Sequence, residues 1–324
     1  MDRRVLITGG TGFVGSHLLQ LLKLQAVTVA VAAPEASKSS GQVGVRYYDL
    51  DLRCNDDLRA LVRDFPATEI YHLAGISDVE SSWSNPRLTF EVNVAGTCNL
   101  LEAAMQLPSP PRILNVSTSQ VYAASSRPLK ETDPLDPRNP YAASKAMSEL
   151  LAVPFRKSGV GGVITVRAFN HTGPGQSSKF ALPAFAEQFA EAEQGLRAPE
   201  LLVGNLDVSR DISDVRDVVA AYVSLIENGK VGEVYNVCSG APCRLADAIE
   251  EMKKLSSMRI GVKTDPARVR SNEVPVVWGD AGKLQRQTGW RPRIQLKETI
   301  SDLMRYWRER VQLQSRSQSP VNAF

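Results

Sequence analysis

Short unbroken apolar runs alternate with stretches in which apolar residues return every three or four positions. Val5-Leu6-Ile7, Val27 to Ala32, Val45 to Tyr48, Ile70 to Ala74, Arg112 to Ser117 and Gly162 to Arg167 are runs of the first kind. They predict buried strands. Phe13 to Leu24, Asp56 to Phe65, Phe90 to Gln106 and the segment starting near Tyr141 have the other period and predict helices. Strands spaced by helices imply right-handed crossovers and an α/β fold, with a doubly wound parallel sheet of Rossmann type.

Beyond Ala168 the alternation breaks and Pro and Gly punctuate the chain. This predicts a smaller α/β lobe built from 169–210 and 239–312, with 211–238 returning to the sheet domain of residues 1–168. The polar, serine-rich end, 313–324, is expected to be disordered. Pro154 is expected to kink or end the helix that Tyr141 begins.

Composition narrows the partners. The 324 residues carry a net charge of only +3, which argues against general affinity for nucleic acid or acidic membranes. Met1-Asp2-Arg3-Arg4 leads into only three apolar residues before Gly9, too few for a signal peptide or a span to be expected. The four cysteines have no zinc or redox spacing and the three histidines do not cluster with them, so free thiols in a reducing cytoplasm and no metal site are expected.

Three segments carry chemistry. Gly9-x-x-Gly12-x-x-Gly15 lies between a predicted strand and helix, the setting in which glycines let backbone approach a pyrophosphate at a helix N-terminus. The second strand ends Ala32-Ala33-Pro34, without the acid that commonly binds a ribose 2′-hydroxyl there, and Glu35 comes one residue late. The missing acid leans toward NADP(H) over NAD(H), although no Arg replaces it. Asp51-Leu52 is placed to hold an adenine ring, or Asp51 simply caps a helix. Ser117-Thr118-Ser119-Gln120 ends a strand, where open parallel sheets bind ligands. Tyr141 and Lys145 then stand four apart, on one face of a helix. A nearby ammonium favours phenolate and lowers the phenol's ordinary value near ~10.

With these segments together, the chain resembles the extended short-chain dehydrogenase/reductase family of nucleotide-sugar enzymes. His72-Leu73-Ala74-Gly75 and Asn93-Val94-Ala95-Gly96-Thr97 fit its pattern. Arg167 to Gln176, Gly204-Asn205-Leu206, Arg210-Asp211 and Val269 to Pro275 look like the branch handling GDP-mannose derivatives. Asp214 to Val219 and Thr288 to Pro292 extend the likeness to its ketone-reducing members. The resemblance implies that Thr118 hydrogen-bonds the sugar O4, that Tyr141 is the acid, and that Lys145 binds the nicotinamide ribose and lowers the Tyr141 pKa. It implies cofactor contacts at Gly9, Thr11, Gly12, Phe13, Val14 and Gly15. Further cofactor contacts are implied at Asp51, Leu52, Leu73, Ala74 and Gly75, and at Asn93 and Phe169. Toward the substrate it implies Ser77, Ser119, Gln120 and Asn170, with Arg210 on the diphosphate and Arg270 and Glu273 at the guanosine end. Without the resemblance, Arg210 reads as a surface ion pair and Ser77, Asp78 and Ser82 as a polar loop. A homodimer is implied through the helices of 90–106 and 141–153.

Dehydration, epimerisation and reduction share this scaffold. Dehydration must move a proton at C5, which needs a carboxyl or its equivalent. Related dehydratases carry acid where this chain has Ser119 and Gln120, and an amide neither gives nor takes a proton near pH 7. No dehydratase activity is therefore expected, although the similar reductases often keep an acid at the Gln120 position. The resemblance implies reduction of the C4 ketone of GDP-4-keto-6-deoxy-D-mannose by a reduced nicotinamide, giving GDP-D-rhamnose. A C4 epimerase with tightly held NAD, an opposite-face reductase giving GDP-6-deoxy-D-talose, and a non-catalytic sensor remain alternatives.

Overall fold

A computed structural model describes residues 3–39, 42–155, 162–269 and 273–318. The chain opens with β1 (Arg4–Thr8), α1 (Phe13–Leu22), β2 (Thr28–Ala33), β3 (Val45–Asp49), α2 (Asn55–Asp64) and β4 (Glu69–His72). Next come α3 (Val79–Ser84), α4 (Pro86–Phe90), a π-type turn (Glu91–Ala95), α5 (Gly96–Met105), β5 (Arg112–Thr118) and a 3-10 turn (Ser119–Val121). After α6 (Pro140–Phe155) follow β6 (Gly162–Ala168), β7 (Asn170–Thr172), α7 (Ala181–Glu193), β8 (Glu200–Val203), β9 (Ser209–Asp214) and α8 (Val215–Asn228). The chain continues with β10 (Val234–Val237), β11 (Pro242–Arg244), α9 (Leu245–Leu255), β12 (Gly261–Thr264), β13 (Val276–Val277), α10 (Gly282–Thr288) and α11 (Leu296–Gln318).

Seven parallel strands run in the order β10-β6-β5-β4-β1-β2-β3, as the alternating pattern predicts. Residues alternate across the sheet, so Val5, Ile7, Val29 and Val31 pack toward α1 and α8. Leu6, Ala30, Ile70 and Ile113 pack on the other side, toward α2 and α5. A third core, around Phe185, Phe189, Met252, Met304 and Trp307, joins α7, α9 and α11 over the β8–β12 pair. β1 has β2 on one side and β4 on the other, so the strand order reverses there. The crevice beyond the strand ends at this point is where such sheets bind ligands.

Three details differ from the sequence-based expectations. Residues 211–214 do not return to the large sheet. They belong to β9, which pairs with β7, β11 and β13, and the return begins with α8 and ends in β10. Of the tail expected to be disordered, 313–318 is helical, because α11 carries Val311 into the third core and its last turns continue from that anchor, while 319–324 lies outside the described residues. By contrast, the end expected near Pro154 is not contradicted: Phe155, one residue on, is the last described residue of α6. The predicted helix over 90–106 is part of a longer one whose π-type turn is set at Glu91–Ala95. Among the described residues, no helix is long and apolar enough to cross a membrane.

Candidate active site

A cavity of about 2230 Å³ runs along the carboxyl ends of the large sheet and under the smaller sheet. Its floor at the switch point is the glycine turn. Gly9 has φ +72°, a region in which side chains are strained, and a Cβ there would lie 2.8 Å from the Ala74 backbone. A Cβ at Gly15 would lie 2.5 Å from the Gly10 Cα and the Gly9 carbonyl. The turn is thus packed so closely that only glycine fits, leaving the α1 N-terminus open to the cavity beside Thr11, Gly12, Phe13 and Val14. Leu73, Ala74, Gly75 and Phe169 line the same space, as do Asp51 and Leu52 at its far end.

Asn93 does not line it. Its buried amide accepts from Ile76 N (2.8 Å) and donates to Ile76 O (3.0 Å) and Ser144 Oγ (2.9 Å), so it ties the loop after β4 to α6. The π-type turn, a feature often found near functional sites, carries it. Ser144 in turn donates to Tyr141 O (2.7 Å). Ser82 is also spent locally, on Val79 O, and Asp78 caps α3 through Glu80 N and Ser81 N, while Ser77 lines the cavity.

The first turn of α6 presents Tyr141. Asn139 caps it, accepting from Ala142 N at 2.8 Å, and its amide donates to Gln120 Oε1 at 3.0 Å. Gln120, Thr118 and Ser119 stand at the end of β5, so the strand and the helix are latched at the cavity wall. Tyr141 is nearly buried, and burial raises its phenol above the ordinary value, opposed by a hydrogen bond from Thr118. The net shift is thus upward, where a lowered value was expected. The Lys145 Nζ instead donates to Val116 O at 2.8 Å. One turn further on, Glu149 receives the Arg167 guanidinium at 2.7 Å, an ion pair buried on both sides. The Tyr-Lys face of α6 therefore ends in a compensated buried charge. Together Thr118 and Tyr141 put two hydroxyls where an oxygen gaining negative charge receives a hydrogen bond and then a proton.

Arg210, Glu273 and Asn170 line the opposite wall, and Arg210 Nη2 lies 3.8 Å from Glu273. Arg210 Nη1 also donates to Ser209 O and Val274 O. It is not paired with Asp211, whose buried carboxylate faces inward to Ser239 N, Gly240 N and Gly279 N. Arg270 lies outside the described residues. Two cavity residues had no signal strong enough to single them out. Arg53 folds back on Asp51 at the far end of the cavity, two positions after it, and Tyr222 reaches the cavity from α8. Glu35 pairs with Lys38 at 2.7 Å, and both are largely exposed.

A model of the family described as GDP-mannose 4,6 dehydratase matches residues 6–303. The chain belongs to this family. It is 37% identical over 314 residues to GDP-6-deoxy-D-mannose reductase of Pseudomonas aeruginosa, covering 96% of this chain and 99% of that one. It is 27% identical to GDP-mannose 4,6-dehydratase of Vibrio cholerae, over 94% of this chain and 93% of that one. The structure of RMD from Pseudomonas aeruginosa complexed with NADPH superposes with TM-score 0.84 and 32% identity, over 95% of this chain and all of that one (100%). The Thermus thermophilus UDP-glucose 4-epimerase complex with NAD superposes with TM-score 0.83 and 29% identity, over 94% of this chain and 99% of that one.

Burial pushes the Lys145 ammonium down from 10.5 to about 8, with Glu149 pulling it the other way. The folded protein then binds that proton more weakly than the unfolded chain does. The destabilisation is fully present below pH 8 and is relieved as pH rises toward 10.5. Lys145→Met should accordingly raise the unfolding temperature at pH 7, by a change worth at most about 3 kcal/mol. The gain should shrink between pH 8 and 10.5. Thermal melts across that range check this, and a pH-independent difference contradicts it.

Proposed function

We propose that the protein reduces the C4 ketone of GDP-4-keto-6-deoxy-D-mannose to GDP-D-rhamnose, using a reduced nicotinamide dinucleotide. The observation that carries this reading is the convergence of Thr118 and Tyr141 beside Lys145 at the switch point, with an amide at Gln120 where elimination chemistry needs an acid. The residues present fit a dinucleotide, because the tight glycine turn leaves the α1 N-terminus, with Thr11, Gly12 and Phe13, open to the cavity, where a pyrophosphate's charge is favoured. When bound, the reduced nicotinamide supplies hydride to C4. Tyr141, protonated because it is buried, gives its proton to O4 as negative charge gathers there. Thr118 directs a hydrogen bond at the same oxygen. Lys145 steadies the phenolate that remains, and a proton from solvent restores Tyr141 before the next turnover. Arg210 offers a guanidinium to a diphosphate, and Glu273 beside it offers a carboxylate to ribose hydroxyls or a guanine edge. Gln120 and Ser119 contact the sugar without moving a proton, so GDP-mannose itself should not be dehydrated.

The absent acid at the end of β2, and Arg53 at the adenine end, support NADP(H) over NAD(H). Parallel binding titrations with the two reduced cofactors test that preference. The phenol of Tyr141 is the proposed acid, and Tyr141→Phe should lower turnover by about 100-fold or more while cofactor binding survives. Turnover within a few-fold of wild type refutes the assignment.

The proposed assembly is a homodimer through α6 and the helix that leads into α5. α6 leaves Met147, Leu150 and Val153 at 44%, 68% and 39% exposure, and Trp83 stands at 63% on α3, which packs against α6. An apolar strip of this kind on a helix marks an interface. Sedimentation should show Leu150→Asp as a monomer where the wild type is a dimer, and a monomeric wild type removes the proposal.

A further inference from the structure

Several buried polar groups along the cavity have no hydrogen-bond partner within the described protein. Tyr222 OH and Thr172 Oγ1 are two of them, on residues that are 0% and 3% exposed. Both line the cavity. A buried hydroxyl without a partner costs about 1–3 kcal/mol, so such a group facing a cavity points to a ligand that completes it.

Their position in the fold narrows that ligand. Tyr222 comes from α8, which packs on β5 and β6, the strands that end at Thr118 and Ala168. Thr172 ends β7, which also lies against α8. Phe13, at the head of the glycine turn, stacks on His171, the neighbour of Thr172, at 6.2 Å and 10°. Burial raises the Tyr222 phenol, and Tyr141 adds to the effect, so the two phenols are close enough to feel each other and Tyr222 stays a donor at neutral pH. The adenine end at Asp51 and Arg53 and the diphosphate wall at Arg210 lie elsewhere along the cavity.

We infer that Tyr222 and Thr172 form a seat for the nicotinamide carboxamide, the phenol donating to its carbonyl oxygen and the threonine hydroxyl accepting from its amide nitrogen. The inference rests on the cofactor reading above and names two positioning residues that the catalytic pair does not include. A primary amide offers one acceptor and two donors, which matches a protonated phenol beside an aliphatic hydroxyl. Fixing the carboxamide fixes the rotation of the ring about its glycosidic bond, and with it the face from which hydride leaves.

The test compares two ligands that share an adenosine half. Binding of NADPH and of 2′-phospho-ADP-ribose, which lacks the nicotinamide, is measured by calorimetry on wild type, Tyr222→Phe and Thr172→Val. Each substitution keeps the volume and removes a hydroxyl's hydrogen bond. NADPH should bind about 10-fold more weakly to Tyr222→Phe, with the fragment unchanged. Equal weakening of both ligands, or of neither, overturns the seat. Should Tyr222→Phe fail to fold, Thr172→Val carries the comparison with the same expectation. A wild type that binds neither ligand overturns the cofactor reading itself, an outcome distinct from a wild type that binds both and variants that do not discriminate.

Discussion

Helix α6 has to be held against the end of β5 for any of this chemistry to exist, and buried polar ties hold it. Asn93 bridges the loop after β4 to Ser144, Asn139 caps the helix while gripping Gln120, Lys145 reaches Val116 O, and Glu149 takes Arg167 from β6. Each tie reaches a different part of the sheet's carboxyl edge, so the helix cannot rotate without breaking several. Removing one partner of a buried ion pair such as Glu149–Arg167 costs about 3–5 kcal/mol, because the other charge is left uncompensated. Apolar packing alone would permit small slides of a helix whose buried face is largely Ala and Ser. The polar ties supply the register that an acid within reach of one particular oxygen requires.

The same burial that fixes Tyr141 also keeps its proton in place. A phenol beside an ammonium in water would drift toward phenolate. Here desolvation raises the phenol and lowers the ammonium, and the Thr118 hydrogen bond opposes the first of these shifts. A reductase needs an acid loaded before hydride arrives, and an environment that disfavours both charged forms provides it. In the proposed reduction Lys145 matters most after the proton has gone, when a phenolate has replaced the phenol.

Much of this was legible in the chain because local pattern and chemistry coincide. The glycine spacing, the strand-end hydroxyls of Thr118 and Ser119, and the Tyr141–Lys145 interval are each short-range, and the parallel sheet brings them together at one edge. What the sequence hid depends on long-range placement. Asn93 looked like a cofactor contact because nothing local shows that its amide is spent on Ile76 and Ser144, 17 and 51 positions away. Tyr222 sits in an ordinary amphipathic helix, and its open hydroxyl shows only once α8 is docked. Arg53 was hidden because it lies not at the end of β2 but in the loop after the neighbouring strand β3, two positions beyond Asp51. The last turns of α11 were invisible for a simpler reason: their polar residues gain helix from an anchor at Val311 rather than from their own composition.

The central claim is that this cavity transfers hydride to the C4 ketone of a GDP-linked 4-keto-6-deoxy sugar. The most direct measurement supplies wild-type protein with GDP-4-keto-6-deoxy-D-mannose and NADPH or NADH in parallel, follows nicotinamide absorbance, and reads the C4 configuration of the product by NMR. The account predicts one reduced cofactor oxidised per keto sugar, faster with NADPH, and a product with the D-rhamno configuration. Conversion without net cofactor consumption, or no consumption with either cofactor, would contradict it.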